Sequence, residues 1–189
     1  MRPAHYDRMT LIGNRYLALL VSFSILFSGC IFNSDNADSS FESFPQFNSV
    51  ADDGQNYSNE KFDGEPYVVI FSAEWCDAPC HSTMHTINTT LNGPPIIVMS
   101  TDPAENPQGI SLEDWHKRAD AHDDEDDDIG QTLDFPFVKG IDVAEEIKIT
   151  SRPTVVFVNS NGEITSLHKG GLDDSEQIID YWESAGGTL

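Results

Sequence analysis

Apolar residues bunch into short runs from Tyr67 onward, and polar residues punctuate the gaps between them. The run YVVIFS, from Tyr67 to Ser72, is β-branched and aromatic and follows Pro66, which predicts a buried strand. A helix is predicted from Asp77 to Leu91, stopped by Asn92, Gly93 and Pro94. A second buried strand spans Pro95 to Ser100. Ser111 begins a capping-box pattern that opens a helix through Ala121, and Ile141 to Ile147 reads as a short amphipathic helix. Thr154 to Asn159 and Glu163 to His168 read as strands joined by a turn at Ser160, Asn161 and Gly162. Asp173 to Ser184 closes the chain as a helix with Ile178, Ile179 and Trp182 on one side. The acidic stretch from His122 to Asp128 is a solvated loop; it lacks the alternating spacing and glycine of a calcium loop. The order is strand, helix, strand, helical crossover, hairpin and helix, an α/β arrangement with a mixed central sheet.

The pattern before residue 61 is different. Arg2, Arg8 and Arg15 precede 12 mostly apolar residues, Tyr16 to Phe27, followed by Ser28, Gly29 and Cys30. A basic start, a short apolar core and small residues before a cut describe an export signal over residues 1–29. The core is shorter than the ~20 residues that a membrane span needs. Cys30 after Ser-Gly also looks like a lipobox, in which the cysteine is lipidated and becomes the new N-terminus. A plain signal peptide and an uncleaved anchor are the alternatives. Residues 30–60 are rich in Ser, Asn, Asp, Gly and Gln with scattered Phe, the composition of a flexible linker. Together these predict an exported, extracytoplasmic protein held to the outer face of the cytoplasmic membrane through lipidated Cys30.

Charge narrows the partners. The net charge is −22, and no basic patch survives that would hold a nucleic-acid backbone. Residues 1–29 account for three arginines and Asp7, which leaves 7 Lys+Arg against 31 Asp+Glu and a net −24 on the exported part. Such acidity describes a solvated surface.

Three cysteines are present, and lipidation of Cys30 leaves Cys76 and Cys80 as an isolated pair in a compartment where disulfides persist. A disulfide closing so small a loop adds little stability, because the entropic gain shrinks with loop length. Chemistry explains the pair better than structure does. Cys76 falls at the predicted helix N-terminus, where backbone N–H groups and the macrodipole favour thiolate, which makes it the candidate nucleophile. Cys80 lies one turn on, as the resolving thiol. Residues at i and i+4 of a helix have Cα atoms roughly 6 Å apart, inside disulfide range.

The segment Trp75-Cys76-Asp77-Ala78-Pro79-Cys80 and, 73 residues beyond Cys80, the Pro153 of Ser151-Arg152-Pro153-Thr154 together resemble the active site of the thioredoxin superfamily. The run from Phe71 to Cys76 is very like thioredoxin's own, and the resemblance covers residues 61–189. It implies a thioredoxin fold with an insertion after the second strand, since about 50 residues separate that strand from Pro153. The sequence Asp134-Phe135-Pro136-Phe137-Val138 is similar to membrane-linked reductases of the TlpA/ResA type. The family likeness makes Pro153 a cis-proline beside a peptide groove, with Trp75, Pro79, Arg152, Thr154 and Gly170 as substrate-binding positions. Lys169 lies beside that groove. Arg152 stands where the family places a residue against the nucleophilic sulfur; an outward Arg152 paired with a carboxylate is equally open. The family's buried acid in the first strand is replaced by Ile70. The spacing departs as well, with three residues between the cysteines where the family has two.

The resulting expectation is a membrane-tethered thiol–disulfide oxidoreductase without a cofactor, acting on protein thiols and disulfides and served by an unidentified redox partner. Two alternatives stay open. The Sco family of copper-handling proteins shares the fold, the tether and a Cys-x-x-x-Cys pair, which would make the chain a Cu(I) carrier through soft thiolates. The histidines that such a role draws on are His81, His85, His116, His122 and His168, and Met84 shares the helical face of Cys80. A non-catalytic binding module is the third reading.

Overall fold

A computed structural model describes residues 42–102, 110–122 and 132–189. The stretch expected to be an export signal, Cys30 and most of the acidic stretch lie outside these residues. Ahead of the main sheet, β1 (Asn48–Val50) and β2 (Asn56–Ser58) pair as a hairpin, and a 3-10 turn follows at Asn59–Phe62. The main sheet contains β3 (Tyr67–Ser72), β4 (Ile96–Ser100), β5 (Phe137–Lys139), β6 (Thr154–Val158) and β7 (Ile164–Lys169), in the spatial order β5-β4-β3-β6-β7. The strands β3, β4 and β5 run parallel, and β6 and β7 are antiparallel to their neighbours. The helices are α1 (Ala78–Thr90), α2 (Leu112–Asp120), α3 (Ile141–Glu146) and α4 (Ser175–Ser184).

The apolar runs become strands because both faces of the sheet are covered, so continuous rather than alternating hydrophobicity is required. Every residue of β3, β4 and β6 is buried. On one face Val68, Ile70 and Val98 meet Met84 and Ile87 of α1, Trp115 of α2, and Ile178 and Trp182 of α4. On the other face Val69, Phe71 and Met99 meet Val143 and Ala144 of α3 together with Phe44, Phe47 and Ala51. Gly140, between β5 and α3, allows this layer to close: a Cβ there would come within 2.6 Å of the Met99 side chain. Helix α2 starts as its capping pattern predicts, with the Ser111 hydroxyl oxygen accepting from the Asp114 N–H at 3.1 Å.

Two differences from the sequence reading matter. The stretch expected to be a flexible linker up to residue 60 is packed from residue 42 onward. Phe44 and Phe47 are buried, Phe62 stacks on Tyr67 at 4.5 Å, and Ile164 N–H donates to the Glu42 carbonyl at 2.8 Å. Aromatic side chains on an irregular backbone fill the sheet face without a readable period. The second difference is a third parallel strand. Residues 137–139 add β5 to the edge of β4, within the segment that resembles the TlpA/ResA insertion. Among the described residues no helix is long and apolar enough to cross a membrane.

Candidate redox site

The carboxyl end of β3 delivers the chain straight into the cysteine motif. Cys76 N–H donates to the Ala73 carbonyl at 2.9 Å, and Asp77 caps α1, its carbonyl accepting from Cys80 N–H at 3.0 Å. Pro79 sits in the first turn, where a missing N–H costs the helix nothing. Cys76 and Cys80 are joined in a disulfide with Cα atoms 5.8 Å apart. Cys80 is fully buried and Cys76 nearly so, while Trp75 beside them is 48% exposed. The helix therefore presents its N-terminal N–H groups to the Cys76 side of the pair, an environment that favours thiolate once the bond is opened.

The Arg152–Pro153 peptide bond is cis. Its neighbourhood is tied together by backbone and hydroxyl groups. Gly170 N–H donates to the Pro153 carbonyl at 2.9 Å, in register with the Thr154–Lys169 pair of β6 and β7. The Thr154 hydroxyl donates to the Ser151 carbonyl at 2.9 Å. Thr83 links this side to the redox helix: its hydroxyl donates to the Pro79 carbonyl at 2.9 Å and accepts from Leu172 N–H at 3.0 Å. Pro79, Pro153, Thr154 and Gly170 are thus joined in one bonded framework with the first turn of α1. Lys169 is exposed at the end of β7.

Arg152 lies across the motif tryptophan and is not paired with a carboxylate among the described residues. Its guanidinium carbon lies 6.0 Å from the centre of the Trp75 ring, and its Nε donates to the Thr101 hydroxyl at 2.6 Å. Thr101 in turn donates to the Ser72 carbonyl at 3.1 Å. The arginine is held across the motif tryptophan by a cation–π contact and a hydrogen bond, and it makes no ion pair among the described residues.

Ile70 is packed in the core, and no acid occupies its place. The buried carboxylate of this site is Glu74 instead, two residues before Cys76. It accepts from Lys139 Nζ at 2.5 Å and from the Ser100 hydroxyl at 2.8 Å. Glu74 lies within the run from Phe71 to Cys76 that resembles thioredoxin's own. Its signal was an acid set between a fully apolar strand and a Trp-Cys pair, with no obvious exposed face.

The histidines separate into distinct settings. His81, next to Cys80, is buried with Nε2 lacking a hydrogen-bond partner. Burial, with His122 nearby, lowers its pKa to about 4. His122 bonds Ser82 Oγ at 3.1 Å, and His85 Nε2 donates to the Ala119 carbonyl at 2.7 Å. The ring centres of His81 and His85 lie 5.4 and 6.1 Å from that of His122. His116 lies elsewhere, bonded to Asp52 and to the Leu133 carbonyl, and His168 bonds the Gly171 carbonyl. Met84 is a core residue. Among the described residues no group of three or more His, Cys, Asp or Glu is placed to hold a metal ion.

A mixed five-stranded sheet, a disulfide at the head of the helix after its central strand and a cis-proline before the hairpin define a thioredoxin-fold domain. Solved structures agree. A thio-disulfide isomerase from Thermus thermophilus is 20% identical, covered over 79% of this chain and 98% of its own, with a TM-score of 0.59. An exposed lipoprotein thioredoxin of Streptococcus pneumoniae gives 17% identity, 74% and 98% coverage and a TM-score of 0.55. BsSco, a Sco-family cytochrome c oxidase assembly protein with a disulfide switch, gives 19%, 79% and 96%, and 0.57. No protein-family model and no curated protein matches the chain. At these identities the likeness is one of fold.

Proposed function

We propose that this protein is a thiol–disulfide oxidoreductase that works outside the cytoplasmic membrane, tethered there by lipidated Cys30. The observation that carries the reading is the Cys76–Cys80 disulfide at the N-terminus of α1, in one framework with the cis Arg152–Pro153 turn. In the reducing direction the Cys76 thiolate attacks one sulfur of a partner protein's disulfide. A mixed disulfide forms and the partner's other sulfur leaves as thiolate, which takes up a proton. Cys80 then loses its proton and attacks Cys76, closing the Cys76–Cys80 bond and releasing the partner as a dithiol. Two electrons pass to the partner, and the reverse sequence oxidises it. Trp75, exposed beside the pair, and the backbone before Pro153 and at Gly170 would receive the partner's chain. Tethering rests on the sequence pattern of residues 1–30.

The assignment of roles has a direct test. Cys80→Ser should accumulate mixed disulfides with partner proteins, resolvable on non-reducing gels, and Cys76→Ser should accumulate none. Equal trapping by both variants would undo the assignment.

A further inference from the structure

Glu74 is the one buried acidic residue among the described residues. Ser72, Ser100 and Lys139 stand in one register row at the carboxyl ends of β3, β4 and β5. Both Glu74 oxygens are engaged on this row, one by Lys139 Nζ and the other by the Ser100 hydroxyl. The Ser100 oxygen also accepts from Asp102 N–H at 3.2 Å. Lys139 Nζ lies 3.4 Å from Ser100 Oγ and 3.5 Å from the Asp102 carbonyl. The residue two places before the nucleophilic cysteine is therefore fastened to two strands at once.

Packing alone does not account for this arrangement. A pair at such depth is a weak source of stability, because removing the ions from water offsets most of their attraction. The exported part has 7 basic residues against 31 acidic ones, and it places one of the few on the one buried acid among the described residues. Position supplies the missing reason. The Glu74 and Cys76 Cα atoms are at most about 7 Å apart along the chain and both residues are buried, so an unbalanced charge on Glu74 is poorly screened from the cysteine that its turn carries.

We propose that Glu74 and Lys139 form a positioning pair for the redox reaction: the carboxylate holds the Trp75–Cys76 turn on the strand ends, and Lys139 cancels the negative charge it would impose on the Cys76 sulfur. The proposal rests on the oxidoreductase reading and deepens it. A carboxylate without its cation disfavours thiolate, and an ammonium without its carboxylate favours it. Loss of one charge or the other therefore moves the sulfur in opposite directions, and loss of both returns it close to the start. A support that acted only through packing would move both single variants the same way. The other charges near the motif are constant across such a series. Asp77 faces Arg118 at 3.8 Å with both side chains largely exposed, and Arg152 lies over Trp75.

The test uses full-length protein in detergent. Iodoacetamide alkylation of Cys76 against pH, in a Cys80→Ser background, reads the thiolate fraction. Equilibration of the intact pair with glutathione reads the potential. Glu74→Gln keeps a hydrogen-bonding side chain of the same shape; it should speed Cys76 alkylation near neutral pH about tenfold and raise the potential. Lys139→Gln should slow alkylation by about the same factor and lower the potential. The double variant should return to within about twofold of the parent. Single variants that shift in the same direction, or a double variant that shifts as far as either, would overturn the pairing role. If the intact pair shows no reversible couple, the oxidoreductase reading falls by itself, and the alkylation series still decides the role of Glu74 and Lys139.

Discussion

Two carboxylates flank the short edge strand β5, Asp52 at its start and Glu74 at its end, and they are held by different kinds of cation. Asp52 accepts from Phe137 N–H at 2.8 Å with one oxygen and meets His116 Nδ1 at 2.6 Å with the other. The second His116 nitrogen lies 2.7 Å from the Leu133 carbonyl, so both ring nitrogens face acceptors, which favours the imidazolium form, and the ring stacks on Phe137. Burial works against that charge, but the Asp52 carboxylate and the Leu133 carbonyl outweigh it and raise the His116 pKa. Asp52 is lowered in turn: the His116 and Phe137 hydrogen bonds outweigh its burial. Glu74 uses both oxygens as well, but its cation is Lys139. The segment before the main sheet is thus clamped by a group that changes charge between pH 5 and 8 in its ordinary state, whereas the turn that carries Cys76 is braced by an ammonium. A rise in pH through the raised His116 value loosens the first attachment.

The comparison can be broken most forcefully at Lys139. Lys139→Met strands a buried carboxylate and should cost about 4 kcal/mol in denaturant unfolding at pH 7. A loss below about 1 kcal/mol would mean that Glu74 reaches water or another partner without help.

His81 sharpens the contrast from the acid side. It is buried and neutral, with a pKa lowered to about 4 against an ordinary 6.5. The folded state therefore binds fewer protons than the unfolded chain, and this contribution to stability is full above pH 6.5 and drains as pH falls towards 4. The loss should reach about 3 kcal/mol, and His81→Leu should remove that part of the acid limb from a plot of unfolding free energy against pH. Parallel plots for parent and variant would contradict it.

His116 gives the smaller and opposite effect. Because its pKa is raised, its contribution is fully present below pH 6.5 and is lost as pH rises through the folded-state value. Asp52, being lowered, contributes above its ordinary 3.8 and loses that share as pH falls through its own folded-state value. The clamp should therefore be strongest between those limits. His116→Gln should cost about 1–2 kcal/mol at pH 6 and progressively less as pH rises. An unchanged difference from pH 6 to 9 would show that the imidazolium charge is irrelevant to the clamp.

The sheet was legible in the sequence for a simple reason: β3, β4 and β6 are buried on both sides, so their signal is a plain apolar run. Helix α2 was legible from Ser111, whose cap is local. The same holds for the cysteine pair, because Cys76 directly precedes the helix cap and Cys80 lies in the first turn, so local chain geometry fixes their distance. What escaped depends on contacts between elements. Phe44, Phe47 and Phe62 have no common period, and only the exposed sheet face shows why they are aromatic. β5 is three residues long and exists because it pairs with Val98 to Ser100. Glu74 finds Lys139 across 65 residues of chain and Arg152 finds Thr101 across 51, pairings set by strand register rather than by sequence spacing.

The account stands on a dithiol that cycles. Its most direct test is the reduction potential of Cys76–Cys80 in the full-length protein, with copper measured on the same sample. A reversible two-electron couple in protein that carries no stoichiometric copper is the predicted result, and the value of the potential then separates reductase from oxidase. Protein that shows no reversible couple, or that arrives with copper bound one to one, would contradict it.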